Sequence, residues 1–183
     1  MLLAMKISLL FLLALLTTGC ADKVQNQGPE DYTGLIITEV AANADKSAAS
    51  WVEVYNSSSH DIRLSGLGLY LTDAQNTGEE ITIMDDVVAK AGQRLVFSTS
   101  DMTLMKGLSS DADFKIVLGK SAEADVLDSF SRDADAGAVT TQKYGSYQRI
   151  PEDGNDWKVT VQATRRMENF DAKPNGIWVW STH

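Results

Sequence analysis

From Leu35 onward the chain alternates short apolar runs with clusters of Gly, Asn, Asp and Ser. The runs are rich in β-branched and aromatic residues and too short for helices, which is the pattern of strands separated by turns. They predict strands over residues 35–40, 51–55, 67–72, 80–83, 93–98, 114–118, 126–130, 145–150 and 157–161. Alternation assigns their faces. Val52 and Val54 point one way, as do Leu67, Leu69 and Leu71, then Leu95 and Phe97, then Ile116 and Leu118. Trp51, Glu53 and Tyr55 share the opposite side of the second strand. The best helical stretch is 100–106, ended by Gly107, and 176–182, with Trp178 and Trp180, is a candidate last strand. Many short strands without a long amphipathic stretch predict an all-β sandwich or barrel.

The first thirty-four residues follow other rules. Lys6 precedes an apolar run from Ile7 to Leu16, broken only by Ser8, and Thr17, Thr18 and Gly19 follow. That order is a secretory signal's. The run is about half of the ~20 residues that a spanning helix requires. Residues 21–34 are polar and interrupted by Gly28 and Pro29, as in a flexible tether. The expected organisation is a signal peptide over 1–19, a lipidated N-terminus and tether over 20–34, a β-sandwich over 35–170 and a tail or last strand over 171–183.

Leu16-Thr17-Thr18-Gly19-Cys20 resembles the signal sequence of bacterial lipoproteins. The resemblance implies that the Cys20 thiol receives a diacylglycerol and becomes the new N-terminus. It places the chain at a bacterial cell envelope, and Ala21 rather than Asp after the cysteine points to the outer membrane. Cys20 is the single cysteine of the chain. Two or three acyl chains make a stable anchor where one is marginal.

The folded part carries an ordered set of short motifs. Leu35-Ile36-Ile37-Thr38-Glu39-Val40 precedes Trp51-Val52-Glu53-Val54-Tyr55-Asn56, and Leu64-Ser65-Gly66-Leu67 follows. Later come Ala91-Gly92-Gln93 and Arg149-Ile150-Pro151-Glu152-Asp153-Gly154, with Trp157 after them. In order and spacing these resemble the lamin tail domain in its bacterial, secreted form, over about Leu35 to Asn169. The resemblance implies an immunoglobulin-like β-sandwich that serves as a binding module. No lamin rod accompanies it here, so filament assembly does not carry over. Gly66 suits a corner that needs positive φ, and Asn56 with the following serines suits a turn capped by side chains.

Composition narrows the partners. The 183 residues are 44% hydrophobic and 22% charged, an ordinary globular balance. Sixteen Lys and Arg against 25 Asp and Glu give a formal net charge of −9, which argues against nucleic acid or anionic headgroups as primary ligands. One cysteine excludes an intramolecular disulfide and a cysteine-based zinc cluster.

The chemical inventory is thin. The two histidines are His60, in Ser57-Ser58-Ser59-His60-Asp61, and the terminal His183. A Ser–His–Asp set can be drawn around His60, but no Gly-x-Ser-x-Gly elbow supports it. Asp111 with Asp113, and Asp133 with Asp135, set alternate carboxylates in expected loops, a spacing that suits calcium. Glu39 and Glu53 are candidates to face one another on adjacent strands, as a glycosidase pair would need in a cleft. Trp51, Glu53 and Tyr55 read either as lateral packing or as a recognition surface. The leading expectation is a non-enzymatic, lipid-anchored envelope protein without a cofactor, whose sandwich binds a protein or polysaccharide partner. A calcium-dependent binding module using the Asp loops is the alternative, and a secreted hydrolase the second alternative.

Overall fold

The computed structural model describes residues 30–42, 49–82, 84–101, 108–141 and 143–170. The signal peptide, Cys20, most of the 100–106 stretch and the 176–182 strand candidate lie outside the described residues.

The regular secondary structure of the described chain is almost entirely antiparallel β-strand. Its strands are β1 (Leu35–Ala41), β2 (Trp51–Asn56), β3 (Ile62–Arg63), β4 (Gly68–Asp73), β5 (Glu79–Glu80), β6 (Val88–Ala89), β7 (Arg94–Ser98), β8 (Phe114–Gly119), β9 (Val126–Ser131), β10 (Ser146–Arg149) and β11 (Trp157–Thr160). A five-stranded sheet runs β11-β10-β1-β2-β7, a four-stranded sheet β5-β4-β8-β9, and β3 pairs with β6. The two larger sheets enclose one hydrophobic cluster. Val52 and Val54 enter it from one sheet, and Leu69, Leu71, Ile116 and Leu118 enter from the other, as their alternation predicts.

A bulge in β1 sets the phase of the first sheet. Ile37 lies opposite Val54 while Glu39 lies opposite Glu53, so Thr38 is the extra residue. Leu35, Ile37 and Val40 therefore all reach the core. Glu39, which unbroken alternation would turn inward with them, goes to the outer face.

β1 pairs with β10 at Glu39 and Val40, which leaves the Ile37 N–H outside that ladder. The Ile37 N–H donates to Asp128 Oδ2 of β9 at 2.7 Å. That oxygen also accepts from Arg149 Nη2 of β10 at 2.6 Å. One carboxylate thus ties the edge of the second sheet to two strands of the first. Above it, the Arg149 guanidinium lies 5.0 Å from the Trp157 ring centroid, and Trp157 stacks on Phe130 at 4.5 Å.

Three local features differ from expectation. The two-residue ladder of β3 with β6 is too short to leave a period-two signature. The fifth-strand ladder covers Glu79–Glu80 rather than 80–83. Residues Arg132–Ala136, expected as a loop, form a short helix, α1. Ser131 caps it by accepting from the Ala134 N–H, and Gly137 ends it at φ 60°, where a side chain would be strained. Gly66 takes φ 78° at the corner before β4.

Candidate functional site

The outer face of the five-stranded sheet holds the densest polar chemistry among the described residues. Glu39 and Glu53 are cross-strand neighbours there, as the sequence suggests, and both are fully buried. They do not line a cleft. Residues 161–170 cross over them as a strap. Thr164 donates its N–H to Glu39 Oε1 at 2.8 Å. Arg166 donates its N–H to Glu53 Oε2 at 2.5 Å. Asn169 then donates its N–H to Glu152 Oε1 at 2.8 Å and its side-chain amide to the Thr38 carbonyl at 2.7 Å. The strap has no alternating partner strand, so carboxylates and carbonyls accept its backbone and side-chain donors instead.

The two glutamates sit in different electrostatic surroundings. Glu53 has a cation: Arg94 Nη1 reaches its Oε1 at 3.3 Å, and Arg94 Nη2 reaches Glu152 Oε2 at 2.5 Å. Thr38 Oγ1 donates to the same Glu53 oxygen at 3.0 Å. Burial pushes the Glu53 carboxyl up, and Arg166, Thr38 and Arg94 oppose it. Burial lowers the Arg94 guanidinium's hold on its proton, but Glu152 and Glu53 outweigh that and raise it. The donors that reach Glu39 Oε1 are uncharged: the Ser146 hydroxyl, the Gln148 amide and the Thr164 N–H. Burial pushes Glu39 up to about 7, with Ser146 and Thr164 opposing and the nearby Glu53 adding to the rise.

Trp51, Glu53 and Tyr55 share this face as alternation predicts, but they do not form an open surface. Trp51 and Glu53 are buried, and Tyr55 is half-buried beneath the Arg94 guanidinium at 4.1 Å. The Arg165 guanidinium lies 5.8 Å from the Trp51 ring. The open surface lies at one end of the sheet, in a groove of about 530 Å³ lined by Ala41, Trp51, Lys143, Tyr144, Val161 and Gln162 among others. Tyr144 is 68% exposed, and the Lys143 ammonium lies 5.5 Å from its ring centroid.

The other candidates are dispersed. Asp113 accepts from the buried Arg132, and Asp135 accepts the Ser131 N–H, so each has an internal task. Asp133 sits in the first turn of α1, and the exposed Asp111 lies in the turn before β8. No group of three or more metal-ligating side chains gathers among the described residues. His60 turns its Nε2 to the Asp31 carbonyl at 3.3 Å. Ser58 bonds Asn56, and Asp61 pairs with Lys90, so the three do not form a triad. Asn56 organises this turn from beneath, accepting the Ser58 N–H and donating to the His60 carbonyl at 2.8 Å.

Sequence reasoning did not single out Arg94, Glu152, Thr164, Asn169 or the Tyr144 groove. A glutamate between two core-facing valines hints at a buried carboxylate. Nothing local says which distant residues satisfy it.

Two outcomes follow from this geometry. Arg94→Met leaves Glu53 buried without its cation, and should lower the unfolding free energy by about 3–5 kcal/mol in urea titrations. Millimolar calcium should leave the melting temperature unchanged, and a calcium-dependent rise would show that the dispersed aspartates do converge on an ion. No family model, curated protein or solved structure matches the chain, so its function has to be read from its own residues and their geometry.

Proposed function

We propose that this chain is a cell-envelope lipoprotein, acylated at Cys20, whose domain binds an envelope partner and carries out no catalysis. The observation that carries the anchor is the position of the single cysteine. It follows a charged start, an apolar run and Leu-Thr-Thr-Gly. Among the described residues no helix is long and apolar enough to cross a membrane. We read the two sheets around one core as an immunoglobulin-like sandwich of the lamin-tail type, in keeping with the motif order.

The binding reading is supported by how the polar side chains are used. Glu39, Glu53, Arg94 and Glu152 bond to one another or to the strap, and their inward-turned donors and acceptors hold the fold. The groove beside Tyr144 is an open concave surface among the described residues, with an aromatic ring, a cation and small apolar walls. An aromatic face next to a polar rim suits contact with a protein loop or a sugar ring. The tether leads to the domain through Glu30–Gly34. The Arg63 N–H donates to Glu30 Oε1 at 2.9 Å, and Tyr32 packs on the core.

Growth with labelled palmitate tests the anchor. Wild type should carry the label and fractionate with membranes, and Cys20→Ser should lose both; equal labelling would falsify acylation at Cys20. A photo-crosslinking residue at position 144, activated in intact cells, tests the groove. A discrete adduct is expected, and its removal by protease or by glycan-cleaving enzymes identifies the partner's class. Absence of any adduct would remove this groove as the contact surface.

A further inference from the structure

We infer that Glu39 is held as the neutral carboxylic acid, and that its proton is the latch fixing the 161–170 strap on the outer face of the five-stranded sheet. This inference is independent of the anchor and of the binding partner.

It comes from counting hydrogens. The Asn169 side-chain amide nitrogen lies between two carbonyl oxygens, Thr38 O at 2.7 Å and Arg149 O at 3.2 Å. Both of its hydrogens are used there, so the amide orientation is fixed and Asn169 Oδ1 can only accept. Thr164 Oγ1 lies 2.7 Å from that Oδ1, so the one hydroxyl hydrogen of Thr164 goes to Asn169. The same Oγ1 also lies 2.9 Å from Glu39 Oε2. No hydrogen is left on Thr164 to fill that second contact. A proton on Glu39 Oε2 fills it, giving a directed chain: Glu39 Oε2–H to Thr164 Oγ1–H to Asn169 Oδ1.

The other carboxyl oxygen agrees with this allocation. Glu39 Oε1 accepts from three donors, the Ser146 hydroxyl, Gln148 Nε2 at 3.0 Å and the Thr164 N–H at 2.8 Å. It behaves as the carbonyl oxygen, and Oε2 as the hydroxyl. The charged groups around the site point the same way. Glu53 faces Glu39 from β2, and a second buried anion there disfavours ionisation. Arg94 of β7 pairs with Glu53 and Glu152. Lys158, opposite Gln148 on β11, and the strap's Arg165, Arg166 and Glu168 have exposed side chains. The pair therefore divides its roles, with an ionised Glu53 beside its cation and a neutral Glu39 donating to the strap. Burial raises the Glu39 carboxyl to about 7, in keeping with the count.

The pH dependence has a definite sign. A carboxyl whose folded pKa lies above its unfolded value binds more protons in the folded chain. Its stabilising effect is complete below about 4.5, falls as pH rises toward about 7, and levels off above that. Ionised Glu39 faces Thr164 Oγ1 oxygen to oxygen, so the strap should open first.

The test uses the whole folded domain, with carbon-detected titration of the glutamate carboxyls and hydrogen exchange of the strap amides. In wild type the Glu39 carboxyl should titrate near 7. Protection of the Thr164, Arg166 and Asn169 amides, corrected for intrinsic exchange, should drop across the same range. Glu39→Gln supplies an acceptor and an N–H donor at the same two positions. It should keep wild-type protection at pH 6 and lose the fall above it. A Glu39 carboxyl that titrates near 4.5 would overturn the inference, and this readout needs no variant. Loss of strap protection or of folding in Glu39→Gln would overturn it as well, because an ionised glutamate is what an amide cannot replace.

Discussion

Two glutamates buried beneath a strand-free segment set the terms for much of this fold. A carboxyl group taken out of water has to find donors, a cation or a proton, and the alternatives cost several kcal/mol. Glu53 takes Arg94, the Thr38 hydroxyl and the Arg166 N–H. Glu39 takes three uncharged donors on one oxygen. Each of these partners constrains a different element. Arg94 fixes β7 to the 152 turn, Ser146 and Gln148 belong to β10, and Thr164 and Arg166 belong to the strap. The strap in turn needs acceptors for the N–H groups of Thr164, Arg166 and Asn169, and the carboxyls are those acceptors. Neither partner is stable in its place without the other.

The bulge at Thr38 makes this arrangement sterically available. It inserts a residue just where the hydrophobic phase of β1 changes, so that Val40 faces the core while Glu39 faces outward. The β1–β10 pairing covers Glu39 and Val40, so the Ile37 N–H and the Thr38 carbonyl are left to side chains. Asp128 takes the first and Asn169 the second. The first contact joins the two sheets and the second holds the end of the strap. A local irregularity in one strand is thereby converted into two long-range connections.

These connections mark the boundary of what the sequence could reveal. Alternation is a local signal, so the core positions Val52, Val54, Leu69, Leu71, Ile116 and Leu118 were legible, and most strands fell within a residue or two of their expected limits. The shared face of Trp51, Glu53 and Tyr55 was legible too. Its burial was not, because the cover comes from residues 161–170, more than a hundred positions later, and that segment has no periodicity. Glu39 and Glu53 were legible as neighbours and misleading as a pair, since two facing carboxylates imply catalysis only where substrate and water can reach them. The helix α1 was hidden for another reason. Asp133 and Asp135 suggest a ligand loop by composition, whereas Ser131 and Gly137 at its two ends are the stronger, structural signal.

A face that looks reactive on paper can thus be the most settled part of the molecule. Its carboxyl groups are engaged by internal partners, and its aromatic rings lie beside guanidinium groups, Tyr55 beneath Arg94 and Trp51 near Arg165. Arg94 also pairs with Glu152, so this stacked cation is held from two sides. Exchange with solvent ligands would require breaking several of these bonds together. At the Tyr144 groove the balance is reversed: Lys143 and Tyr144 sit in a turn before β10, and Tyr144 is mostly exposed. Contact with a partner costs least where few internal bonds must be given up, so we propose recognition at that end of the sheet, with the strap-covered face holding the domain together.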